Sequence, residues 1–428
     1  MDNAYHDPLK GDISEAGYLE VSFIMVDPDK FYSKLGKTFE PGVITTVVLK
    51  TSELARQGKK VVPLTGGLYD VPSMPWREVR QIFDEAPREA WEGMLQYGST
   101  QGMYGLRKEI SKFMAGSGME ADPGEIIITA GSQEAIDLVT RVFLDRGDAI
   151  YIGRPTYLSA LSAFKQVSPE FREIPIDEDG MDVDALEADL RKLKAEGRSV
   201  KLLYVIPCFQ NPTSTVLSAE RKKRVLELAE EHDFIIFEDN PYGYISFEGP
   251  MPTPLAAMDR SGRVMYMSTF SKIVSPGMRI GWIASNPEFT EKMTEAKSRI
   301  SICNDGLSQY AAIELFKRGV VDSQIPRVTE VYRKKRDLML EAMEAGFPEE
   351  AEWNHPRGGL FLWAKMPGHV NTTEMIGEAI ERGVAYIPGS NFFTGPVHNF
   401  MRLNYSLPTE EDIVEGIQIL GGLLKEKV

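Results

Sequence analysis

Cysteine is scarce. Cys208 and Cys303 are the two cysteines in 428 residues, too few for a disulfide scaffold, and neither has metal-ligand neighbours. They read as small buried hydrophobes of a protein kept in a reducing compartment. Histidine is scarce too. His6, His232, His355, His369 and His398 show no metal spacing such as HExxH, so they read as structural or surface residues and no metal site is expected. Basic residues number 48 against 63 acidic ones, and the net charge of −15 argues against a nucleic-acid partner. No stretch approaches the ~20 apolar residues needed to span a bilayer, and the acidic opening MDNAYHDPLKGDISEAGY has no apolar run of signal-peptide length. The expectation is a cytoplasmic protein with no membrane partner. Internal repeats and low-complexity segments are missing as well, so the chain reads as continuous folded structure.

The composition that remains, 43% hydrophobic and 26% charged, is that of a globular chain long enough to divide into two domains. From about 103 to 285, the strand-like runs IIIT (126–129), AIYIG (149–153), EIPI (173–176), LLYVI (202–206), FIIFE (234–238) and VMYMS (264–268) alternate with helix-like stretches. Those stretches lie at 131–145, 156–166, 183–195 and 218–232. The alternation predicts an α/β fold with a mostly parallel sheet, and near-continuous apolar strands such as FIIFE fit a sheet covered by helices on both faces. Beyond Gly306 the texture changes. A charged helix (328–346), the β-like GGLFLWAKMP (358–367), a helix near 372–383, the strand-like FMRLNYS (400–406) and a closing helix (409–425) predict a smaller α+β domain. The expected division is an N-terminal arm and helix at 1–62 packing with the smaller domain, a large domain at 63–310 and a small domain at 311–428.

The segment STFSKIVSPGMRIGW (268–282) follows a strand and gathers Thr269, Ser271, Lys272 and Arg279 where an α/β sheet presents ligands. A free lysine, with a pKa near ~10.4, is almost wholly protonated at neutral pH; burial or a nearby cation must lower that value before it can act as a nucleophile. Hydroxyls at −3 and −1 and an arginine at +7 would suit a phosphate beside it; a lysine facing solvent at a strand end is the bland alternative. In ITAGSQEAIDL (128–138), Gly131, Ser132 and Gln133 occupy a strand-to-helix junction, which suits either an anion held by free N–H groups or simple capping by Ser132. FEDNPYGYI (237–245) sets Asp239 at the end of a buried strand, costly without a partner, with Tyr242 three residues on. VIPCFQNPTST (205–215) leaves Asn211 at another strand end, where Asn-Pro also forms turns.

Taken together with Tyr157, these segments resemble the pyridoxal-phosphate-dependent aminotransferases of fold type I, class I/II. The resemblance runs from roughly Gly66 to Leu407 and rests on the SKxxxPGxRxGW and DxxY patterns. It implies a large, cofactor-binding domain with a seven-stranded type of sheet sandwiched by helices. It implies that Lys272 joins covalently to pyridoxal 5'-phosphate and later shuttles a proton, that Asp239 keeps the ring nitrogen protonated, and that Asn211 and Tyr242 bond the ring hydroxyl while Tyr157 stacks on the ring. The phosphate would rest on Gly131, Ser132, Gln133, Thr269, Ser271 and Arg279. Tyr97, in LQYGSTQG, resembles the aromatic that reaches the neighbouring subunit's site, so a homodimer with shared sites is implied. Arg402 resembles the clamp on the substrate α-carboxylate, with Asn211 as second donor. Gly67, in PLTGGLYDVPSMP (63–75), resembles the point of close approach to substrate, in a motif most like the 2-aminoadipate, kynurenine and aromatic amino-acid transaminases. The N-terminal arm, Tyr69, the partner's Tyr97 and the 301–306 turn would wall the pocket. One departure is visible: the family's NPTG reads NPTS, with Ser214 replacing glycine, which puts the loop's backbone angles in question.

The implied reaction moves an amino group from an aromatic, 2-aminoadipate or large aliphatic 2-amino acid to a 2-oxo acid, with 2-oxoglutarate the expected acceptor, by a ping-pong scheme. A β-elimination lyase using the same cofactor is the nearest alternative. An aminotransferase-like transcription regulator is the alternative from another class, disfavoured by the acidic charge and the absence of a basic recognition helix.

Overall fold

The computed structural model describes residues 27–39 and 41–428. Of the expected N-terminal arm, residues 1–26 and 40, His6 among them, lie outside the described residues. The chain forms two units, 1–41 and 42–428. In the first, the described residues form two short 3₁₀ turns, Pro28–Lys30 and Gly36–Thr38.

The second unit is built on an eight-stranded sheet. Its order is Ile126–Thr129, Gly281–Ala284, Val264–Thr269, Ile235–Asp239, Leu202–Val205, Ala149–Arg154, Glu170–Asp177 and Gly180–Met181. Six of the seven longer strands are the runs read from the sequence, the total of seven is the number the resemblance implies, and the last strand is a two-residue antiparallel extension. The five strands from Val264–Thr269 to Glu170–Asp177 pair in parallel. Gly281–Ala284 is antiparallel to both neighbours. It was not legible as a strand, and its direction has a simple cause: the 270–280 connection holds only two 3₁₀ turns, too little chain for the crossover a parallel neighbour requires.

Alternate strand residues feed two cores. Ile150, Ile152, Leu202, Tyr204, Phe237 and Met265 join the larger cluster, which helices Tyr104–Ala115, Ser132–Phe143 and Leu158–Phe164 cover. Tyr151, Leu203, Val205 and Ile236 face the other way, against helices Val183–Ala195 and Ala219–His232. Burial on both faces explains why these strands read as continuous apolar runs.

The smaller domain carries a four-stranded antiparallel sheet, ordered Glu352–Trp353, Phe361–Lys365, Phe400–Asn404, Ile387–Pro388. Helix Glu410–Lys425 packs on the long helix Val320–Gly346. That helix starts earlier than its charge pattern suggested and runs through Pro326. Strand Val62–Pro63 pairs with Val384–Ala385, and helix Val43–Arg56 sets Val47 against Ile380 and Ala385. Among the described residues no helix is long and apolar enough to cross a membrane.

Candidate active site

Five strands of the large sheet end on the same edge, and each is followed by a residue singled out in the sequence. Gly131, Ser132 and Gln133 follow Ile126–Thr129, Tyr157 follows Ala149–Arg154, and Asn211 follows Leu202–Val205. Asp239 ends its own strand, and Ser271 and Lys272 follow Val264–Thr269. Ser132, Gln133, Tyr157, Asn211, Asp239, Tyr242, Ser271, Lys272 and Arg279 share one cavity of about 240 Å³, together with Leu68, Ile206, Pro241 and Pro276. This is the crevice beyond the carboxyl ends of the strands where an open α/β sheet binds ligands.

Lys272 Nζ donates to the carbonyl oxygen of Gly67 at 2.6 Å. Burial, then the Arg402 and Arg279 guanidiniums, lower its pKa to about 8, while Asp239 opposes them. About a tenth of the lysine is therefore free amine at pH 7, far more than for an ordinary lysine, as a lysine nucleophile requires. Gly67 leaves little room: a Cβ there would fall 2.7 Å from Phe361 Cζ and 3.6 Å from Lys272 Nζ.

Asp239 is 2% exposed. Its Oδ2 accepts from the Tyr204 hydroxyl at 2.6 Å, whereas Oδ1 is buried with no partner. Burial raises the carboxyl to about 7 against the Tyr204 hydrogen bond and Lys272. Tyr204 was missed by the sequence reading. The available signal was a tyrosine within the apolar run LLYVI, since a buried phenol has to find a hydrogen-bond partner. Asn211 Nδ2 lies 3.5 Å from the Tyr242 hydroxyl, to which it donates.

At the helix start, Gly131 takes φ +78. A Cβ there would sit 2.3 Å from Arg279 Nη2, so glycine is what lets the guanidinium close on the N-terminus of Ser132–Phe143. Arg279 donates to Ala130 O at 2.7 Å and Pro276 O at 3.2 Å. Thr269 does not line the cavity. Its hydroxyl donates to Ile280 O at 2.8 Å, accepts from the Ser271 N–H at 3.2 Å and lies 3.0 Å from Ser271 Oγ, which orients Ser271.

Arg402 sits 1% exposed just behind the cavity wall. Nη1 donates to Asn211 Oδ1 at 2.9 Å and Nη2 to Thr65 O at 2.8 Å, the guanidinium lies 4.0 Å over the Phe361 ring, and Nε has no partner. Burial lowers its pKa to about 10. Ser214 adopts φ +55, so the loop keeps a left-handed backbone without the glycine, and its hydroxyl donates to Phe361 O at 2.8 Å.

Tyr97, expected in the neighbouring subunit's site and not in its own, is 78% exposed and outside this cavity, and no residue of the 301–306 turn, expected as a pocket wall, lines it. Tyr69, expected as a pocket wall, is 1% exposed and donates to Ile273 O at 3.3 Å; its neighbour Leu68 lines the cavity instead.

Residues 59–420 match the family described as aminotransferase class I and II. The chain belongs to this family. The aminotransferase is similar to aromatic-amino-acid aminotransferase 1 of Thermococcus litoralis, 43% identical over 86% of this chain and 89% of that one. Among solved structures it is similar to kynurenine aminotransferase of Pyrococcus horikoshii, described in complex with PMP. The TM-score there is 0.89 and the identity 37%, over 94% of this chain and 98% of that one. It is also similar to the alpha-aminoadipate aminotransferase of Thermus thermophilus complexed with N-(5'-phosphopyridoxyl)-L-leucine, with TM-score 0.86 and 31% identity over 94% and 99% of the two chains.

The aminotransferase uses pyridoxal 5'-phosphate, and the site fits it on its own terms. Asp239 Oδ1 is an unpartnered buried acceptor suited to a protonated ring nitrogen. The helix N-terminus at Ser132, with Arg279 beside it, suits a phosphate dianion. Lys272, lining the same cavity, suits an aldehyde.

Proposed function

We propose that this aminotransferase works in the cytoplasm as a homodimer, transferring an amino group from an aromatic, 2-aminoadipate or large aliphatic 2-amino acid to a 2-oxo acid. The acceptor is 2-oxoglutarate and the scheme is ping-pong. The observation that carries the reading is the triangle of Lys272, Asp239 and Arg402, three buried ionisable groups whose affinities for protons are all displaced by burial in one place, an arrangement that is unfavourable for stability and typical of function.

When bound, pyridoxal phosphate supplies an aldehyde that captures amines and a protonated ring that draws electron density from the substrate carbon. In the proposed arrangement Ser132, Gln133, Ser271 and Arg279 hold the phosphate, with Gly131 and Thr269 shaping that cup. Asp239 Oδ1 holds the proton on the ring nitrogen while Tyr204 fixes the other oxygen. Asn211 and Tyr242 bond the ring hydroxyl, and Tyr157 covers the ring face. Lys272 would move the proton at the substrate carbon from its place beside Gly67. Arg402 clamps the α-carboxylate, with Asn211 as the second donor.

Relatives that act on aromatic, kynurenine and 2-aminoadipate substrates support the donor class, as do the apolar walls Leu68, Ile206 and Pro241. For the dimer, the support is a run of exposed large apolar residues, Leu68, Val71, Trp76, Leu95, Tyr97 and Tyr104, exposed from 44% to 78%, which is the composition of a subunit face. It would carry Tyr97 into the partner's site. A panel of amino donors assayed against 2-oxoglutarate tests the reading: aromatic and 2-aminoadipate donors should be preferred. Ammonia release without any need for an acceptor would instead make the protein a lyase.

A further inference from the structure

The segment 65–73, which holds the Gly67 carbonyl against Lys272, is fastened from behind by the long helix. Gln324, Val328, Tyr332 and Lys335 of Val320–Gly346 are buried, and their spacings of four, four and three keep them on one stripe. Lys335 Nζ donates to Asp70 Oδ1 at 2.7 Å and to Ser406 O at 3.1 Å. The remaining oxygen of Asp70 accepts from Ser73 N at 3.1 Å and Ser73 Oγ at 2.6 Å, and the Asp70 N–H donates to the Tyr332 hydroxyl at 3.1 Å. Gln324 Nε2 donates to the Tyr69 hydroxyl at 2.7 Å, which itself donates to Ile273 O at 3.3 Å, one residue from Lys272. None of Asp70, Tyr332 and Lys335 touches the cavity.

The Asp70–Lys335 side chains are 8% and 7% exposed. A buried pair of this kind rarely stabilises a fold more than apolar residues of the same size would, so its presence asks for another role. We infer that the Asp70–Lys335 pair is a positioning device for Lys272: it holds the Gly67 carbonyl at the lysine and so biases that lysine towards its ammonium form. The relevance to catalysis rests on the reading of Lys272 given above; the geometry does not. The charged groups facing Lys272 are Asp239 from strand Ile235–Asp239, Arg279 after the Pro276–Met278 turn and Arg402 from strand Phe400–Asn404, with the phenols of Tyr157 and Tyr242 in the same cavity. A carbonyl acceptor favours the charged amine over the neutral one. Burial and the two guanidiniums already bring Lys272 to about 8, and slackening the carbonyl brings it lower.

The test uses the full-length chain freed of cofactor. The rate at which a small acylating reagent modifies Lys272, quantified by peptide mass spectrometry, is followed against pH. In Lys335→Met and in Asp70→Asn/Lys335→Met the midpoint should fall by roughly one pH unit, a tenfold gain in free amine on the acid side. Lys222→Met is the control. It removes another buried ammonium, which donates to Thr253 O at 2.7 Å away from the cavity, and should leave the Lys272 midpoint in place. An unchanged or raised midpoint in folded Lys335→Met, or an equal fall in Lys222→Met, overturns the inference. Should the charge variants fail to fold, Tyr332→Phe decides, because it keeps both charges and removes only the hydroxyl that receives the Asp70 N–H: a fall supports the inference and no shift overturns it. Borohydride reduction of the loaded protein with peptide mapping reports separately on the functional reading. A label on a different lysine would end that reading without affecting the acylation midpoint.

Discussion

Asp239→Asn should make the cofactor-free protein more stable at pH 8 while leaving the loaded enzyme far slower. The carboxyl is buried, one oxygen has no partner, and its pKa stands at about 7 against an ordinary 3.8. The folded state therefore binds this proton more tightly than the unfolded state. The stability that the protonated form contributes is present in full below about pH 4 and is lost as pH rises through about 7. At 1.36 kcal/mol per unit the gap corresponds to about 4 kcal/mol. Asparagine keeps an oxygen for the Tyr204 hydroxyl and carries no charge, but its amide brings new donors to a buried spot, so about 2–4 kcal/mol of gain is expected at pH 8. The advantage should shrink towards pH 4. Urea unfolding of both cofactor-free proteins at several pH values measures it: groups not coupled to Asp239 cancel in the difference, and Lys272, which loses the carboxylate's support in the variant, enters as a smaller contribution. Saturating pyridoxal phosphate should narrow or reverse the order, because only the parent carboxylate meets a protonated ring nitrogen with an opposite charge. A variant less stable than the parent at pH 8, or a difference independent of pH, would refute the reasoning that Asp239 is held charged at a cost to the fold.

Arg402→Lys keeps the charge but cannot reach Asn211, Thr65 and a carboxylate at once; hydrogen bonds to charged groups contribute roughly 1.5–3 kcal/mol each, so kcat/KM should fall tenfold to a hundredfold for all donors alike. Losses confined to donors with acidic side chains would move Arg402 to the far end of the substrate. Gly131→Ala forces a Cβ onto Arg279 at a left-handed φ and should weaken cofactor affinity, measured by fluorescence titration, with little effect on the kcat of the saturated enzyme. Mixing Lys272→Ala with Tyr97→Phe should yield heterodimers with one intact site and activity above either parent, provided Tyr97→Phe is impaired alone; no recovery after confirmed subunit exchange would place Tyr97 outside the partner's site.

Local chemistry made much of this protein legible from its residues alone. The alternating apolar runs and helical stretches located most strands and helices of the large sheet, because strands covered on both faces have little room for polar side chains. The SKxxxPGxRxGW and DxxY patterns pointed to Lys272, Asp239, Tyr242 and Arg279 through the family they resemble, whereas Lys272 taken alone left a bland reading open. What the sequence did not show is how the neighbouring Glu238 is satisfied in the same buried strand. The pleat turns Glu238 towards the N–H groups of Leu255 and Ala256, which it accepts at 3.2 and 2.9 Å, and turns Asp239 into the cavity with one oxygen unpartnered. Nor could it see that Tyr204 would bond Asp239 across 35 residues, that Tyr69 would turn inward and leave the wall to Leu68, or that Lys335, in the charged run RKKR, would be buried on Asp70 across 265 residues. Those contacts depend on which face a side chain takes and on what the far parts of the chain bring to it, and only the packed tertiary structure settles both.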